Sequence, residues 1–393
     1  MSRRVRSRSL LLTRLAPALV LAGGSVAAVA VATSSTAGPV DAATVSTSAA
    51  ACAGWVKYKA PNVGNLGNQL DGVTATSAGN AWATNDNIAS ARIMHWNGRT
   101  WAFQSTPTGN RDELFGMTSV SAANAWAVGA RYNASGENYL NMILHWNGRS
   151  WTKQAVPNPG TGDYLSSVKA ISATNAWAVG YYVRGKPAST TQIMHWNGRS
   201  WARQAAPSPG TIDQLYSVTA TSAGNAWAVG YEQTGGAFQT VILHWNGRSW
   251  TRQASPNAPV VATNISLEGV SATSATNAWA VGSYYGETTG KFYPLILHWN
   301  GRTWSRVSTA AVGELHPVVA ISATDAWAFG DFTNSSGQVR ELTMHWNGKA
   351  WAAQAGPDPA STYSILNAAT ALSAGDVWVA GQSGNLDFTA RYC

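Results

Sequence analysis

Charged residues are scarce in this sequence. Asp, Glu, Lys and Arg make up 11% of its 393 residues, less than half of the share in ordinary soluble domains. The formal net charge is +8, but five arginines and no acidic residue fall in residues 1–32, so residues 33–393 hold 21 basic and 18 acidic side chains. A basic surface for nucleic acid is therefore not indicated.

Motifs with a known chemistry are also missing. The sequence shows no pair of catalytic carboxylates, no nucleophile elbow, no phosphate-binding loop and no cluster of metal ligands. We therefore expect no cofactor and no metal, and the sequence alone names no reaction. Disorder is excluded as well, because aromatic residues make up 10% of the chain.

The first fifty residues differ in composition from the rest. An arginine-rich start precedes the apolar stretch Leu15–Ala32, and a Ser/Thr/Ala-rich run follows to residue 51. This order is typical of a secretory signal peptide. The alternative is an uncleaved membrane anchor, for which Pro17 and Gly23 are unfavourable. We predict a signal peptide in residues 1–32, a linker in 33–51 and an extracellular protein with no membrane attachment after cleavage; the cleavage position and the export route stay open.

Tryptophan, by contrast, is abundant, and its 20 copies follow a repeat. His-Trp-Asn-Gly begins at His95, His145, His195, His244, His298 and His345. A second element of the type Asn-Ala-Trp-Ala-Val-Gly centres on Trp82, Trp126, Trp177, Trp227, Trp279, Trp327 and Trp378, which define repeats 1 to 7. The 47 to 54 residues between successive His-Trp-Asn-Gly copies indicate a solenoid, a propeller or an array.

Repeat 4 shows what one unit contains. Alternating β-branched residues, turn signals and the hairpin signal Asn246-Gly247 predict four antiparallel strands at residues 215–221, 225–231, 240–245 and 249–254. We predict a polar loop at residues 232–237, between the second and third strands. Four such strands without helical periodicity predict one blade of a β-propeller.

Seven copies of the second element predict an all-β, seven-bladed propeller over residues 52–393. Repeat 7 ends after its third strand, and Gly54–Pro61 aligns with the fourth strand Ser200–Pro207, so we expect the N-terminal strand to complete the C-terminal blade. The same alignment places Cys52 and Cys393 on either side of the missing Asn-Gly turn, which predicts a disulfide between them. A monomer is expected.

These motifs resemble the Asn-Ala-Trp-Ala-Val-Gly and His-Trp-Asn-Gly repeats of secreted actinobacterial proteins. The organisation is also similar to WD40-type and kelch-type propellers, although the Gly-His…Trp-Asp pair of the former and the Gly-Gly doublet of the latter are absent. The resemblance covers residues 52–393. It implies a seven-bladed scaffold and no defined activity.

The repeated side chains have structural interpretations. All 20 tryptophans belong to the repeat, which favours packing between blades over a sugar-binding platform. The six repeated histidines lie too far apart to share a metal ion, and we expect them to bond Ser or Thr of the turn between the first two strands. His316 lies outside the repeat and has no partner motif. The hairpin cations Arg99, Arg149, Arg199, Arg248, Arg302 and Lys349 are either solvated or bind an anionic polymer.

The connections between second and third strands vary in length. We therefore expect the surface that differs most between repeats to be the face on which these connections lie. Tyrosines begin these connections, and aspartates precede the innermost strands. We predict a binding surface for an extracellular glycan or protein at Tyr132, Tyr181, Tyr182, Tyr231, Tyr284, Tyr285, Asp163 and Asp213. The alternatives are that the tyrosines cap strand ends and that the aspartates form Asx-turns. Non-catalytic binding is the favoured function; a glycan hydrolase or lyase and a structural envelope protein are the alternatives.

Overall fold

The protein is built from β-strands throughout the part that the structure describes. The computed structural model describes residues 54–62, 68–86, 91–185, 188–256, 258, 262–357 and 362–393. These residues form 28 strands, and none of them belongs to a helix that could cross a bilayer. The predicted signal peptide, the predicted linker and Cys52 lie outside the described residues.

Each repeat contributes strands in four positions, numbered here β1 to β28 in chain order. First strands are β2 (Gln69–Ser77), β6 (Glu113–Ser121), β10 (Asp163–Ser172), β14 (Ile212–Ser222), β18 (Ala262–Ser274), β22 (Glu314–Ser322) and β26 (Ser364–Ser373). Second strands are β3 (Asn80–Asp86), β7 (Asn124–Tyr132), β11 (Asn175–Gly185), β15 (Asn225–Thr234), β19 (Asn277–Gly286), β23 (Asp325–Thr333) and β27 (Asp376–Ser383). Third strands are β4 (Arg92–Trp96), β8 (Tyr139–Trp146), β12 (Ala188–Trp196), β16 (Ala237–Trp245), β20 (Lys291–Trp299), β24 (Val339–Trp346) and β28 (Leu386–Tyr392). Fourth strands are β5 (Trp101–Gln104), β9 (Trp151–Lys153), β13 (Trp201–Gln204), β17 (Trp250–Arg252), β21 (Trp304–Val307), β25 (Trp351–Ala353) and β1 (Trp55–Lys59).

Antiparallel pairing joins these strands in the order first, second, third, fourth. Five sheets have four strands each, and one sheet has eight because the parallel pair Ser189–Ile212 links β12 to β14. The first strands contact one another in the order β2, β6, β10, β14, β18, β22, β26 and back to β2. They therefore surround a central channel, and the 28 strands suggest about seven blades.

The N-terminal strand completes the last sheet. The order β1-β28-β27-β26 places Trp55 opposite Tyr392, and Gly54 and Cys393 exchange two backbone hydrogen bonds of 3.1 and 3.2 Å. Because this strand occupies the place of a fourth strand, the pairing predicted from the alignment of Gly54–Pro61 is observed.

The predicted loop at residues 232–237 is shorter in the structure. Second strand β15 continues to Thr234 and third strand β16 begins at Ala237, so the connection is the pair Gly235-Gly236. Both glycines have positive φ, 60° and 87°, which suits a two-residue hairpin turn. The polar side chains of this segment are therefore on strands, and the prediction of a loop there was wrong.

Tryptophans fill the space between neighbouring repeats, as predicted. In repeat 3, the fully buried Trp177 packs on its own His195, with ring centroids 4.2 Å apart, and meets Trp250 of repeat 4 edge-on at 5.1 Å. The same edge-on contact joins Trp126 to Trp201, Trp227 to Trp304, Trp279 to Trp351 and Trp378 to Trp101. Large buried area and edge-on geometry both stabilise these seams, and truncating one such tryptophan typically costs about 3–5 kcal/mol.

The repeated histidines have a structural role, but their partner differs from the one predicted. In repeat 4, His244 Nε2 donates to Asn225 Oδ1 at 2.8 Å. Equivalent bonds run from His95 to Asn80, His195 to Asn175, His298 to Asn277 and His345 to Asp325. The expectation of a Ser or Thr partner was wrong, because the turn serine, Ser222, accepts a hydrogen bond from the Gly224 N–H instead. Burial lowers the pKa of five of the six histidines, which favours neutral rings.

Candidate functional site

The strand order gives the protein two faces. The short-turn face holds the turns between first and second strands and the Asn-Gly turns, and the loop face holds the other connections. On the short-turn face, each third-strand tryptophan donates its indole N–H to an alanine carbonyl of the adjacent turn, as Trp245 does to Ala223 at 2.9 Å. The hairpin cations predicted from the sequence form an exposed set there: Arg99, Arg149, Arg199, Arg248, Arg302 and Lys349.

Acidic side chains are concentrated at the opposite end. Among the residues with described side chains, every Asp and Glu except Asp325 and Asp376 lies in a loop-face connection or in the loop-proximal half of its strand. Those two exceptions are paired with His345 and Arg391. The short-turn face is thus basic, whereas the loop face holds basic residues such as Arg203, Arg252 and Arg306 beside its acidic ones.

The predicted aspartates hold loops on the loop face. Asp163 Oδ1 accepts the Gly160 N–H at 3.0 Å, and Asp213 accepts the Gly210 N–H at 3.0 Å and the Ser208 hydroxyl at 2.6 Å. Both carboxyl groups are fully buried. Burial raises the pKa of Asp163 to about 6, against the opposing effects of the Gly160 hydrogen bond and the Arg203 charge, and burial also raises the pKa of Asp213.

Three of the predicted tyrosines are buried. Tyr181, Tyr182 and Tyr231 expose only 4–6% of their surface. Tyr181 stacks on Tyr164 of its own repeat at 5.0 Å. The Tyr182 hydroxyl accepts a 2.9 Å hydrogen bond from Arg203, whose guanidinium lies over the ring. All three rings belong to residues inside second strands β11 and β15, before the connections to the third strands begin.

The other predicted tyrosines are half-buried and belong to two separate places. Tyr132 in repeat 2 accepts a 2.6 Å hydrogen bond from Arg111. Tyr284 and Tyr285 are adjacent in repeat 5, where the Tyr284 hydroxyl accepts a 3.2 Å hydrogen bond from Arg306. The structure therefore does not bring all of the predicted residues into one site, but it leaves aromatic surface open in repeat 5.

Repeat 4, the neighbour of repeat 5, contains a groove. It has a volume of about 310 Å³ and is lined by Gln239, Thr240, Arg252, Gln253, Ala254 and Ser255. Arg252 forms an ion pair with Glu232, which is buried. Amide, hydroxyl and guanidinium groups thus face one polar cavity, whose size is at the lower end of the range for small-molecule sites.

A charged cluster that was not predicted from the sequence lies near the channel. His316 in β22 donates from Nε2 to Asp331 Oδ1 at 2.9 Å. Burial alone would lower the pKa of His316, but the hydrogen bond and charge of Asp331, with the charges of Glu314 and Glu268, raise it to about 9. The signal in the sequence was a histidine at a first-strand position where other repeats have mostly neutral residues. Its partner Asp331 comes from the next strand and has no motif of its own.

Metal binding has no evident ligand cluster. Within the described ranges, no group of three or more His, Cys, Asp and Glu side chains could hold a metal ion.

No protein-family profile and no curated protein matches this sequence. Among solved structures, the chain is similar to YCF48 bound to D1 peptide, with 14% identity and a TM-score of 0.54 over 86% of this chain and 96% of that one. It is also similar to a catalytically inactive virginiamycin B lyase from Staphylococcus aureus with quinupristin, at 14% identity and a TM-score of 0.55 over 86% and 98% of the two chains. A third likeness is to a PL25 ulvan lyase, at 11% identity and a TM-score of 0.54 over 86% and 95%. These likenesses establish the β-propeller fold.

Proposed function

We propose that this protein is a secreted, monomeric, seven-bladed propeller that binds an extracellular glycan or protein on its loop face without catalysis. Seven repeats, 28 strands and the circular order of first strands support the blade count. Signal-peptide-like composition supports export. The solved propellers of similar fold include a peptide-bound protein and glycan-active enzymes, so both ligand classes suit the scaffold.

One observation carries the choice of the loop face. On the short-turn face, the polar side chains of nearly every repeat form the same internal hydrogen bonds, such as His244 to Asn225 and Trp245 to Ala223. Most differences between repeats lie on the loop face, where side chains are not repeated. A specific ligand needs such an individual surface, because a repeated surface would offer the same weak site several times.

The contacts of the acid and base groups favour binding over catalysis. His316 is held by Asp331 and has a pKa of about 9, so at neutral pH it is an imidazolium and a poor general base. Asp163 and Asp213 are buried and bonded to loop N–H groups. These groups order the loops around the channel rather than face a substrate.

The polar groove of repeat 4 and the tyrosines of repeat 5 are the proposed contact area. Gln239, Gln253 and Arg252 supply amide and guanidinium groups for hydroxyl or carbonyl oxygens. Tyr284 and Tyr285 supply partly exposed aromatic surface for a sugar ring or an apolar side chain. This combination fits a neutral polyhydroxyl chain or an extended peptide.

A second candidate function is glycan hydrolysis or elimination. It is favoured by the raised pKa of Asp163, about 6, since a carboxyl group that keeps its proton near neutral pH can act as a general acid. The solved propellers of similar fold include a xyloglucanase and a polysaccharide lyase. For this function the loops over Asp163 would have to open.

The test is an array of extracellular polysaccharides and peptides probed with the purified protein, followed by chromatography of each bound sugar. Reproducible binding without product supports the proposal, and product release establishes the second function. Gln253→Ala and Tyr284→Ala should weaken binding about tenfold each at unchanged melting temperature. Arg199→Ala, on the short-turn face, is the matched control. Loss of binding in the control alone would move the site to the hairpin cations.

A further inference from the structure

Lys169 is the only Lys or Arg on the described first strands. It lies directly opposite Trp177 in the register of β10 and β11. The residues opposite the equivalent tryptophans are mostly hydroxyl-bearing: Thr74, Thr118, Thr219, Ser271, Val319 and Thr370. Since the first strands surround the channel, these positions form one level of it, and Lys169 is the single charge at that level.

The hydroxyls of this level face the neighbouring first strand. Thr118 Oγ1 accepts the Ala170 N–H of the next repeat at 3.4 Å, and Ser271 Oγ accepts the Ala320 N–H at 3.0 Å. These bonds use lone pairs of the hydroxyl oxygens and leave their O–H groups available as donors. The level therefore offers several donors around the channel axis.

The ammonium group of Lys169 has no partner among the residues that the structure describes. None of its donors bonds to another group within the described ranges, and no carboxylate affects its pKa, which burial alone lowers. Lys169 is only partly exposed. Withdrawing an ammonium group from bulk water without a counter-charge is costly, and an anion beside it offsets part of that cost.

We propose that the channel binds one small oxyanion at Lys169, a carboxylate, sulfate or phosphate group, held by the ammonium and by hydroxyls such as those of Thr118 and Thr219. This site is distinct from the loop-face surface and does not depend on it. Closer to the loop face, Asp71, Glu268 and the cationic His316 occupy equivalent first-strand positions, so the charge there is mixed.

Equilibrium dialysis of the full protein with sulfate tests the site, with melting temperature as a second measurement at constant ionic strength. The wild type should bind one sulfate per chain and show a saturable rise in melting temperature. Lys169→Thr introduces the threonine found at most equivalent positions, so the variant should fold. Without sulfate it should melt at a higher temperature than the wild type, and added sulfate should no longer raise its melting temperature in a saturable way. Lys169→Arg should retain it.

Lys153→Thr, which removes an exposed outer-strand lysine beside Asp112, is the matched control and should bind sulfate like the wild type. Acetate in place of sulfate distinguishes a preference for a carboxylate from one for a tetrahedral anion, and binding of either one supports the site. Absence of saturable binding by both anions, or equal binding by Lys169→Thr, would overturn the proposal.

Discussion

Arg391 and Asp376 form a two-point ion pair in repeat 7, from Nε to Oδ1 at 2.7 Å and from Nη2 to Oδ2 at 2.8 Å. They occupy the positions of His244 and Asn225 in repeat 4. Arg391 also lies over Trp378, 5.6 Å from the ring centroid, as the repeated histidines lie over their tryptophans. A salt bridge thus occupies the place of the histidine–asparagine bond of repeat 4.

This exchange of pairs can be tested with a double-mutant cycle. Asp376→Asn leaves a largely buried guanidinium without its counter-charge and should lower the free energy of unfolding by about 1–3 kcal/mol. Adding Arg391→His restores the pair of repeat 4 and should recover most of the loss in urea unfolding. Additive effects of the two substitutions would show that the pairs are not equivalent.

A second pairing joins repeat 7 to repeat 1. Asn85 Nδ2 donates to Asp387 Oδ2 at 2.7 Å, and the other side-chain oxygens of both residues are buried without a partner in the described part of the chain. In repeat 2 the residue equivalent to Asp387 is Asn141, which exchanges two hydrogen bonds with Gln192 at 2.9 and 3.1 Å. Burial and the charge of Asp71 raise the pKa of Asp387 to about 7, although Asn85 opposes them.

Asp387→Asn should therefore stabilise the protein at neutral pH. The folded state holds the Asp387 proton up to about pH 7, whereas the unfolded chain releases it near its ordinary pKa of about 3.9, so wild-type stability falls as the pH rises between these values. Melting temperatures at pH 4 and pH 8 check this. The advantage of the variant should exceed about 1 kcal/mol at pH 8 and shrink toward pH 4. A constant difference would contradict a protonated Asp387.

Removal of residues 54–61 should open the last sheet. Trp55, which contacts Trp327 and Phe329 of repeat 6, would be lost, and the edge of β28 would be exposed. We expect aggregation in size-exclusion chromatography. Deletion of residues 33–40 in the predicted linker is the length-matched control and should leave a monomer. A soluble monomer with unchanged melting temperature after the first deletion would refute this role of the strand.

The disulfide between Cys52 and Cys393 remains a prediction, because Cys52 lies outside the described residues. The adjacent backbone pair Gly54–Cys393 supports it. By closing a loop in the unfolded chain, the disulfide would increase the free energy of unfolding by up to about 5–6 kcal/mol. Thiol titration of denatured, unreduced protein should find no free thiol after export, and two reactive thiols would exclude the bridge.

The sequence predicted what depends on its repeat and missed side-chain contacts that occur in one repeat alone. Hairpins, strand positions and the pairing of Trp55 with Tyr392 follow from local signals and alignment. The burial of Tyr181 could not be foreseen, because it results from packing on Tyr164. The His316–Asp331 pair was missed for the same reason: register brings its members together across 15 residues.

The edge-on tryptophan contacts have an optical consequence. Neighbouring indoles lie about 5 Å apart, as in Trp177–Trp250 and Trp227–Trp304, so excitation absorbed by one passes to the next before it is emitted. Intrinsic fluorescence therefore comes from a coupled belt of chromophores between the repeats. We therefore expect it to change when two repeats separate at such a seam.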